Sequence, residues 1–361
     1  MEGTGLNRMN RPNPLLYSLL KVALHCPYSE GEVISQLSSL SEEEWDLLFS
    51  QSREQAVSGL LYHSFEILQS EDLLPDSIAM AWMLNAYQIQ ERGESVGNLA
   101  RQLCSAMEDK GLHPIILKGP AVAAYYPCPE MRTSGDIDLY FSQQEFQAAR
   151  SFLTTCYGQE KMASDGSFHY QVKGIDIDLH SRFYDSSIAV SLLPSPPSAE
   201  ATLFMLSSHI LKHALGPGVG LRQICDLAMA ARALKVDYDA ETLLKTFRDT
   251  RTFRWNQMLF SLIRERLWVD AGLFPSGEDT SFASLEKIIF TGGNFGQHSS
   301  SRKKALGFSD SRRKMDTAVC MLQRLPFALR YAPREYVFYF TSLLKGNLES
   351  NNHNVPYYSN P

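Results

Sequence analysis

Asp136 and Asp138, in the run Gly135-Asp136-Ile137-Asp138-Leu139-Tyr140-Phe141, are the residues of this chain whose spacing points most directly to chemistry. In a β-strand alternate side chains share a face, so the two carboxylates project together while Ile137 and Leu139 point the other way. Like charges that close repel and push one pKa upward unless a cation neutralises them. A hard divalent ion is the usual partner. Mg²⁺ takes one or two carboxylates and completes its shell with water and substrate phosphates, which directs the reading toward a nucleotide. A solvated edge strand would show the same D-x-D. The apolar flank Ile137, Leu139, Tyr140 and Phe141 argues instead for a strand buried on its other face.

Upstream, His113-Pro114-Ile115-Ile116-Leu117-Lys118 reads as a strand leading through Gly119 into a short helix. A glycine at such a junction lets phosphate approach the backbone, and the helix N-terminus adds free N–H groups and a positive dipole end. Downstream, Gly174-Ile175-Asp176-Ile177-Asp178-Leu179-His180 alternates strictly, placing Asp176, Asp178 and His180 on one face. A third carboxylate, for a second metal or as a base, is therefore expected here, and periodicity alone does not choose between Asp176 and Asp178. Lys118 and Arg132 are cations beside the acidic strand, as phosphoryl transfer needs where charge accumulates on oxygen. Arg132 could equally neutralise the aspartates when no nucleotide is bound. His209 and His213 lie four apart on a predicted helix over 203–215, the spacing of a zinc pair, but no H-E-x-x-H glutamate or cysteine accompanies them. Arg222 and Asp226 have the i,i+4 spacing of an ion pair along one helix.

The run Leu117-Lys118-Gly119, then Tyr126-Pro127, Arg132, Asp136-Ile137-Asp138-Leu139, and Ile177-Asp178-Leu179-His180-Ser181-Arg182 resembles the uncharacterised bacterial nucleotidyltransferase family within the polymerase-beta-like nucleotidyltransferase superfamily. The matching motifs span residues 113–182, with weaker echoes to about 235. The resemblance implies a Mg²⁺-dependent enzyme that moves a nucleoside monophosphate from an NTP to an acceptor hydroxyl. Asp136 and Asp138 would be the metal-binding pair, Asp178 the third catalytic and metal-binding carboxylate, and two ions would act during turnover. Lys118, Gly119, Arg132, His180, His209 and His213 would face the nucleotide, because the family pattern includes an H-x-x-x-H helix followed by L-R-x-x-x-D, here Leu221 to Asp226. The chain departs from the superfamily at the loop, where Pro120 follows Gly119 in place of serine. A chain that kept the fold without that serine would instead be a non-catalytic nucleotide-binding or protein-interaction module. The acceptor, whether small molecule, sugar, RNA or protein, is written in no motif.

The rest of the chain must position these residues. At 361 residues, 44% hydrophobic and 11% aromatic, it can bury a substantial core. The first 110 residues read as helical, with a capping box at Ser41 to Glu44 and apolar spacing of three and four over 56–68 and 78–107. Residues 113–183 switch to strand 113–118, helix 120–126, strand 135–141, helix 142–156 and strands near 167–173 and 175–182. From 199 onward the pattern is helical again. The expected fold is therefore α+β: a small mixed β-sheet core over 111–190, embedded between an N-terminal helical region (1–110) and a C-terminal one (191–350), with 351–361 a disordered tail. A net charge of −6 gives no global case for nucleic acid, although residues 301–345 hold ten Lys/Arg against three Asp/Glu. Within it, 302–314 carries two basic clusters with no aromatic platform interleaved, Phe308 standing alone between them, so a charged loop is favoured over an RNA surface. Six cysteines without a C-x-x-C pair suggest free thiols in a reducing cytosol. No apolar run reaches the roughly 18 residues of a membrane span, so a cytoplasmic location is expected.

Overall fold

The computed structural model of the chain describes residues 12–158, 161–162, 166–184, 186, 188, 192–274, 280–294 and 310–350. Helices α1 (Pro14–Ala23), α2 (Glu30–Ser38), α3 (Glu42–Glu54), α4 (Ser58–Leu68) and the long α5 (Asp76–Glu108) come first. Their starts follow local chemistry. The Asn13 side chain accepts from Leu15 N at 3.1 Å ahead of Pro14, and the capping box is formed, with Ser41 Oγ accepting from Glu44 N and the Glu44 carboxylate accepting from Ser41 N.

The sheet follows: β1 (Ile115–Ile116), β2 (Ile137–Tyr140), β3 (Lys161–Met162), β4 (Phe168–Val172) and β5 (Ile175–His180), in the order β1-β2-β5-β4-β3. Among the described strands only the central β2–β5 pair is parallel; β1–β2, β3–β4 and β4–β5 are antiparallel. One-turn helix α6 (Pro120–Ala123) lies between β1 and β2, and α7 (Phe146–Tyr157) between β2 and β3. One face of the sheet is apolar: Ile137, Leu139, Tyr170, Ile177 and Leu179 bury against the second half of α5 and against Ala149 and Leu153 of α7. The opposite face is polar and turns toward α8 (Ala199–Leu215) and α9 (Leu221–Ala233). After these come α10 (Ala240–Asp249), α11 (Phe253–Leu267), α12 (Ala283–Gly292), α13 (Asp310–Gln323), α14 (Leu325–Tyr331) and α15 (Pro333–Ser350). Residues of α1 and α4 share one hydrophobic core with α8, α9 and α11. The α+β class and the small mixed sheet are as expected from the sequence.

Several elements are shorter than periodicity predicts. The helix expected over 120–126 stops at Ala123; Tyr125 and Tyr126 continue with i→i−3 bonds to Val122 and Ala123, and Pro127, lacking an N–H, ends the run. The helix expected from 142 begins at Phe146, because Ser142 to Glu145 forms a turn closed by Glu145 N to Ser142 O at 3.1 Å. The loop between α6 and β2 lies directly on α4: a Cβ built on Gly59 would stand 2.6 Å from Met131 O, so only glycine permits this approach. Residues 302–309 of the basic segment and the expected tail 351–361 lie outside the described residues; α13 begins at Asp310. Among the described residues no helix is long and apolar enough to cross a membrane. All six cysteines are free.

Candidate active site

Register assembles the acidic groups. Parallel pairing sets Asp138 of β2 opposite Asp178 of β5 and Tyr140 opposite His180, while antiparallel β4 sets His169 opposite Asp178 and Gln171 opposite Asp176. Asp138, Asp178 and His169 thus form a row across three strands on the polar face. The ligand atoms of Asp138, Asp178 and His180 all lie within 4.8 Å of one another. Asp176 is one pleat away, where Gln171 Nε2 donates to its Oδ1 at 3.2 Å, so the strand pairing singles out Asp178 as the neighbour of Asp138. Asp136 precedes β2, is exposed, and lines the same cavity as Asp138 without joining the three-residue cluster.

The Lys118 ammonium neutralises Asp138, and His180 hydrogen-bonds to the same oxygen. Lys118 Nζ stands 3.1 Å and His180 Nε2 3.0 Å from its Oδ1. Burial alone would raise the Asp138 pKa, but Lys118 and the His180 hydrogen bond outweigh it and hold the carboxyl well below the usual range. Asp136 moves the other way: although its side chain reaches the surface, the protein packed around it at the cavity desolvates the carboxyl, and the charge of Asp138 adds to that rise against the pull of Lys118. Burial opposes the charge of Lys118 as well, yet Asp138 and Asp136 together raise its pKa. Asp178 is held by a short hydrogen bond between its Oδ1 and His169 Nδ1. His169 was not singled out from the sequence. Its signal was there, since Phe168, Tyr170 and Val172 are the buried members of an alternating strand that leaves His169 and Gln171 on the polar side.

Gly119 joins β1 to α6 at φ 58°, ψ −115°, a region that side chains avoid, and a Cβ there would stand 2.8 Å from Asp136 O. The loop and the acidic strand touch through this residue. Gly119→Ala is therefore expected to lower unfolding free energy by about 1–3 kcal/mol, read from denaturant melts. An unchanged midpoint would mean that the loop relaxes freely. The row of free amides expected after Gly119 is not what the loop provides. Pro120 has no N–H, Ala121 N donates to Lys118 O at 3.3 Å, Ala123 N donates to Gly119 O at 3.0 Å, and one turn of helix carries little dipole.

Arg132 makes a two-pronged ion pair with Asp226 of α9, Nε at 2.7 Å and Nη2 at 2.8 Å from its two oxygens; its Nη1 faces Thr133 O and Ser134 Oγ. Tyr126 OH donates to Asp226 Oδ1 at 2.7 Å. Burial would raise Asp226, but Arg132 more than offsets it and lowers the pKa. Asp226 is thus paired across 94 residues instead of with Arg222 along its own helix, and Arg132 is paired with Asp226 instead of with the strand aspartates. Arg222 Nη1 donates to Thr133 O at 3.1 Å, so α9 grips the segment entering β2 twice.

A cavity of about 40 Å³ closes between the loop, the acidic strand and α8–α9, lined among others by Lys118, Gly119, Asp136, Asp138, His209 and Arg222. That volume holds a few waters, far below the roughly 300–1,000 Å³ of a small-molecule site. His209 lines it as a neutral imidazole: burial first, then the nearby cations led by Lys118, lower its pKa well below the ordinary value. His213 packs edge-on against His209 with ring centroids 4.5 Å apart and is not among the lining residues.

The donor set suits a divalent ion. Opposed oxygens of a Mg²⁺ shell at about 2.1 Å lie roughly 4.2 Å apart, a separation that fits inside the 4.8 Å within which the Asp138, Asp178 and His180 ligand atoms all lie, and an imidazole beside two carboxylates also suits Mn²⁺. No curated protein and no solved structure matches the chain. A family model described as an uncharacterised nucleotidyltransferase matches residues 41–267, a span that takes in the acidic strands, the Lys118–Gly119 loop, Arg132 and the helices bearing His209 and Asp226. With the motifs and the matched span in agreement, the chain belongs to the uncharacterised nucleotidyltransferase family.

Proposed function

We propose that the protein is a divalent-cation-dependent nucleotidyltransferase of the polymerase-beta-like kind, which binds an NTP against the polar face of the sheet, transfers its nucleoside monophosphate to an acceptor hydroxyl and releases pyrophosphate. The observation that carries this reading is the β2–β5 register, which sets Asp138 beside Asp178 with His180 on the same face. Asp138 and Asp178 would hold the ion with His180, and Asp136, at the mouth of β2, would complete the metal-binding pair. The chemistry such ions, one or two, supply when bound is neutralisation of charge on the phosphate oxygens. The chain's own groups do the rest. Lys118 and Arg222 are the cations for the triphosphate, the neutral ring of His209 offers a hydrogen bond to the nucleotide, and His213 backs that ring; the cavity these groups border is too small to enclose a nucleotide, which would lie across its mouth on the polar face. Gly119 brings the loop against the acidic strand. Arg132 acts by fixing the segment into β2, since its guanidinium is aimed at Asp226, Thr133 and Ser134. Asp178 would also accept the acceptor's proton.

Incubation with labelled NTPs and Mg²⁺ or Mn²⁺ against cell extract, followed by identification of the labelled species, tests the reading and names the acceptor class. On that substrate Asp178→Asn should cut turnover by about 10²–10⁴, the range of a lost general base, while Asp176→Asn should stay near wild type. The reverse ranking would move the third carboxylate to Asp176. One observation favours a second reading, a non-catalytic nucleotide-binding or interaction module: the carboxylates are already engaged within the chain, Asp138 by Lys118 and His180 and Asp178 by His169. Absence of labelled product with every NTP and both metals would select it.

A further inference from the structure

The polar cluster is neutralised from within. Asp138 is 2% exposed, and both its partners, the Lys118 ammonium and the His180 ring, address the same oxygen, Oδ1. An unpaired charge at that depth is costly, so a partner is required whenever no other cation is bound. A divalent ion approaching the Asp138, Asp178 and His180 donors would meet the Lys118 ammonium on one of the oxygens it needs, and two cations sharing one oxygen repel.

Lys118 is built to yield. Its backbone is anchored, since Leu117 N donates to Asp138 O at 2.9 Å and Gly119 presses on Asp136 O, so only the side chain need move. That side chain is a flexible four-carbon stem, 24% exposed, carrying a point charge. Arg132, by contrast, is clamped in a planar fork on Asp226. The space beside Lys118 is the small cavity that it lines together with Arg222 and His209.

We propose that Lys118 is an exchanging cation: it neutralises Asp138 in the free protein, gives that oxygen up when a divalent ion binds, and swings to the phosphates of the nucleotide. This rests on the metal and nucleotide reading of the same site. It makes one substitution act with opposite signs in two binding equilibria, which loss of folding cannot imitate.

The test uses full-length Lys118→Met. Binding of Mn²⁺ alone, followed by loss of the free-ion electron paramagnetic resonance signal, should tighten roughly tenfold or more, the scale of one charged hydrogen bond. Calorimetric binding of a non-hydrolysable NTP with Mg²⁺ should weaken by about ten- to a hundredfold on the same scale. Unchanged or weaker Mn²⁺ binding in the variant, or unchanged nucleotide affinity, would overturn the exchange. A wild-type protein that binds neither Mn²⁺ nor the NTP overturns the proposed function itself, a distinguishable result. If Lys118→Met does not fold, the wild type still decides: the ¹⁵N resonance of the Lys118 ammonium should shift when Mg²⁺ is added without nucleotide, and a resonance that stays put refutes the exchange.

Discussion

Asp138→Asn should abolish nucleotidyl transfer, with turnover falling by at least about 10²–10³, the loss seen when one preorganised electrostatic group is removed. Three roles end together. The cluster loses the carboxylate that belongs both to the predicted metal site and to the β2–β5 row, and Lys118 and His180 lose the charge that both address. Asp136→Asn should cost less, because Asp136 is exposed and stands outside the cluster of ligand atoms. Label transfer measured beside far-UV circular dichroism separates chemistry from folding. A folded Asp138→Asn protein with wild-type turnover would remove Asp138 from the site.

The largest expected effect on stability lies at Arg132 and Asp226. Both side chains are more than nine-tenths buried, so removing one partner strands the other charge, and Arg132→Met or Asp226→Asn should cost about 3–5 kcal/mol in denaturant unfolding. Replacing both, as Arg132→Met with Asp226→Leu, should recover much of that loss, because no buried charge remains. The pH dependence follows from the depressed pKa of Asp226. Its unfolded value is about 3.9; the stabilisation is fully present above that and drains away as pH falls through the folded value. Asp138 is depressed too and acts in the same sense, whereas Asp136, raised, contributes stability at low pH that is lost as pH rises through its folded pKa. Acid melts of wild type should therefore lose midpoint below about pH 4, and Asp226→Asn should flatten that loss. A variant equal to wild type in stability at neutral pH would show that the pair holds nothing together.

What the sequence determined by itself is local and periodic. Alternation over 175–180 decides that Asp176, Asp178 and His180 share one face and the isoleucines the other, and the structure buries Ile175, Ile177 and Leu179 accordingly. The Ser41 capping box and the helical first hundred residues are equally local, since caps and apolar stripes act within one or two turns. Gly119 was legible as a special backbone position, though not its contact with Asp136 O. The tertiary structure decided the partners. Periodicity places a side chain on a face but carries no information about which residue arrives opposite from elsewhere in the chain. The choice of Asp178 over Asp176 is a matter of register between strands forty residues apart, and His169 enters only through the β4–β5 pairing. Asp226 had an arginine at i−4 to satisfy a local rule, yet it pairs with Arg132, 94 residues away, because the fork of that guanidinium meets both of its oxygens in a buried loop. Lys118, which the sequence placed only as a cation beside the acidic strand, became the counter-ion of Asp138 for the same reason: a buried carboxylate takes the nearest cation that folding brings to it.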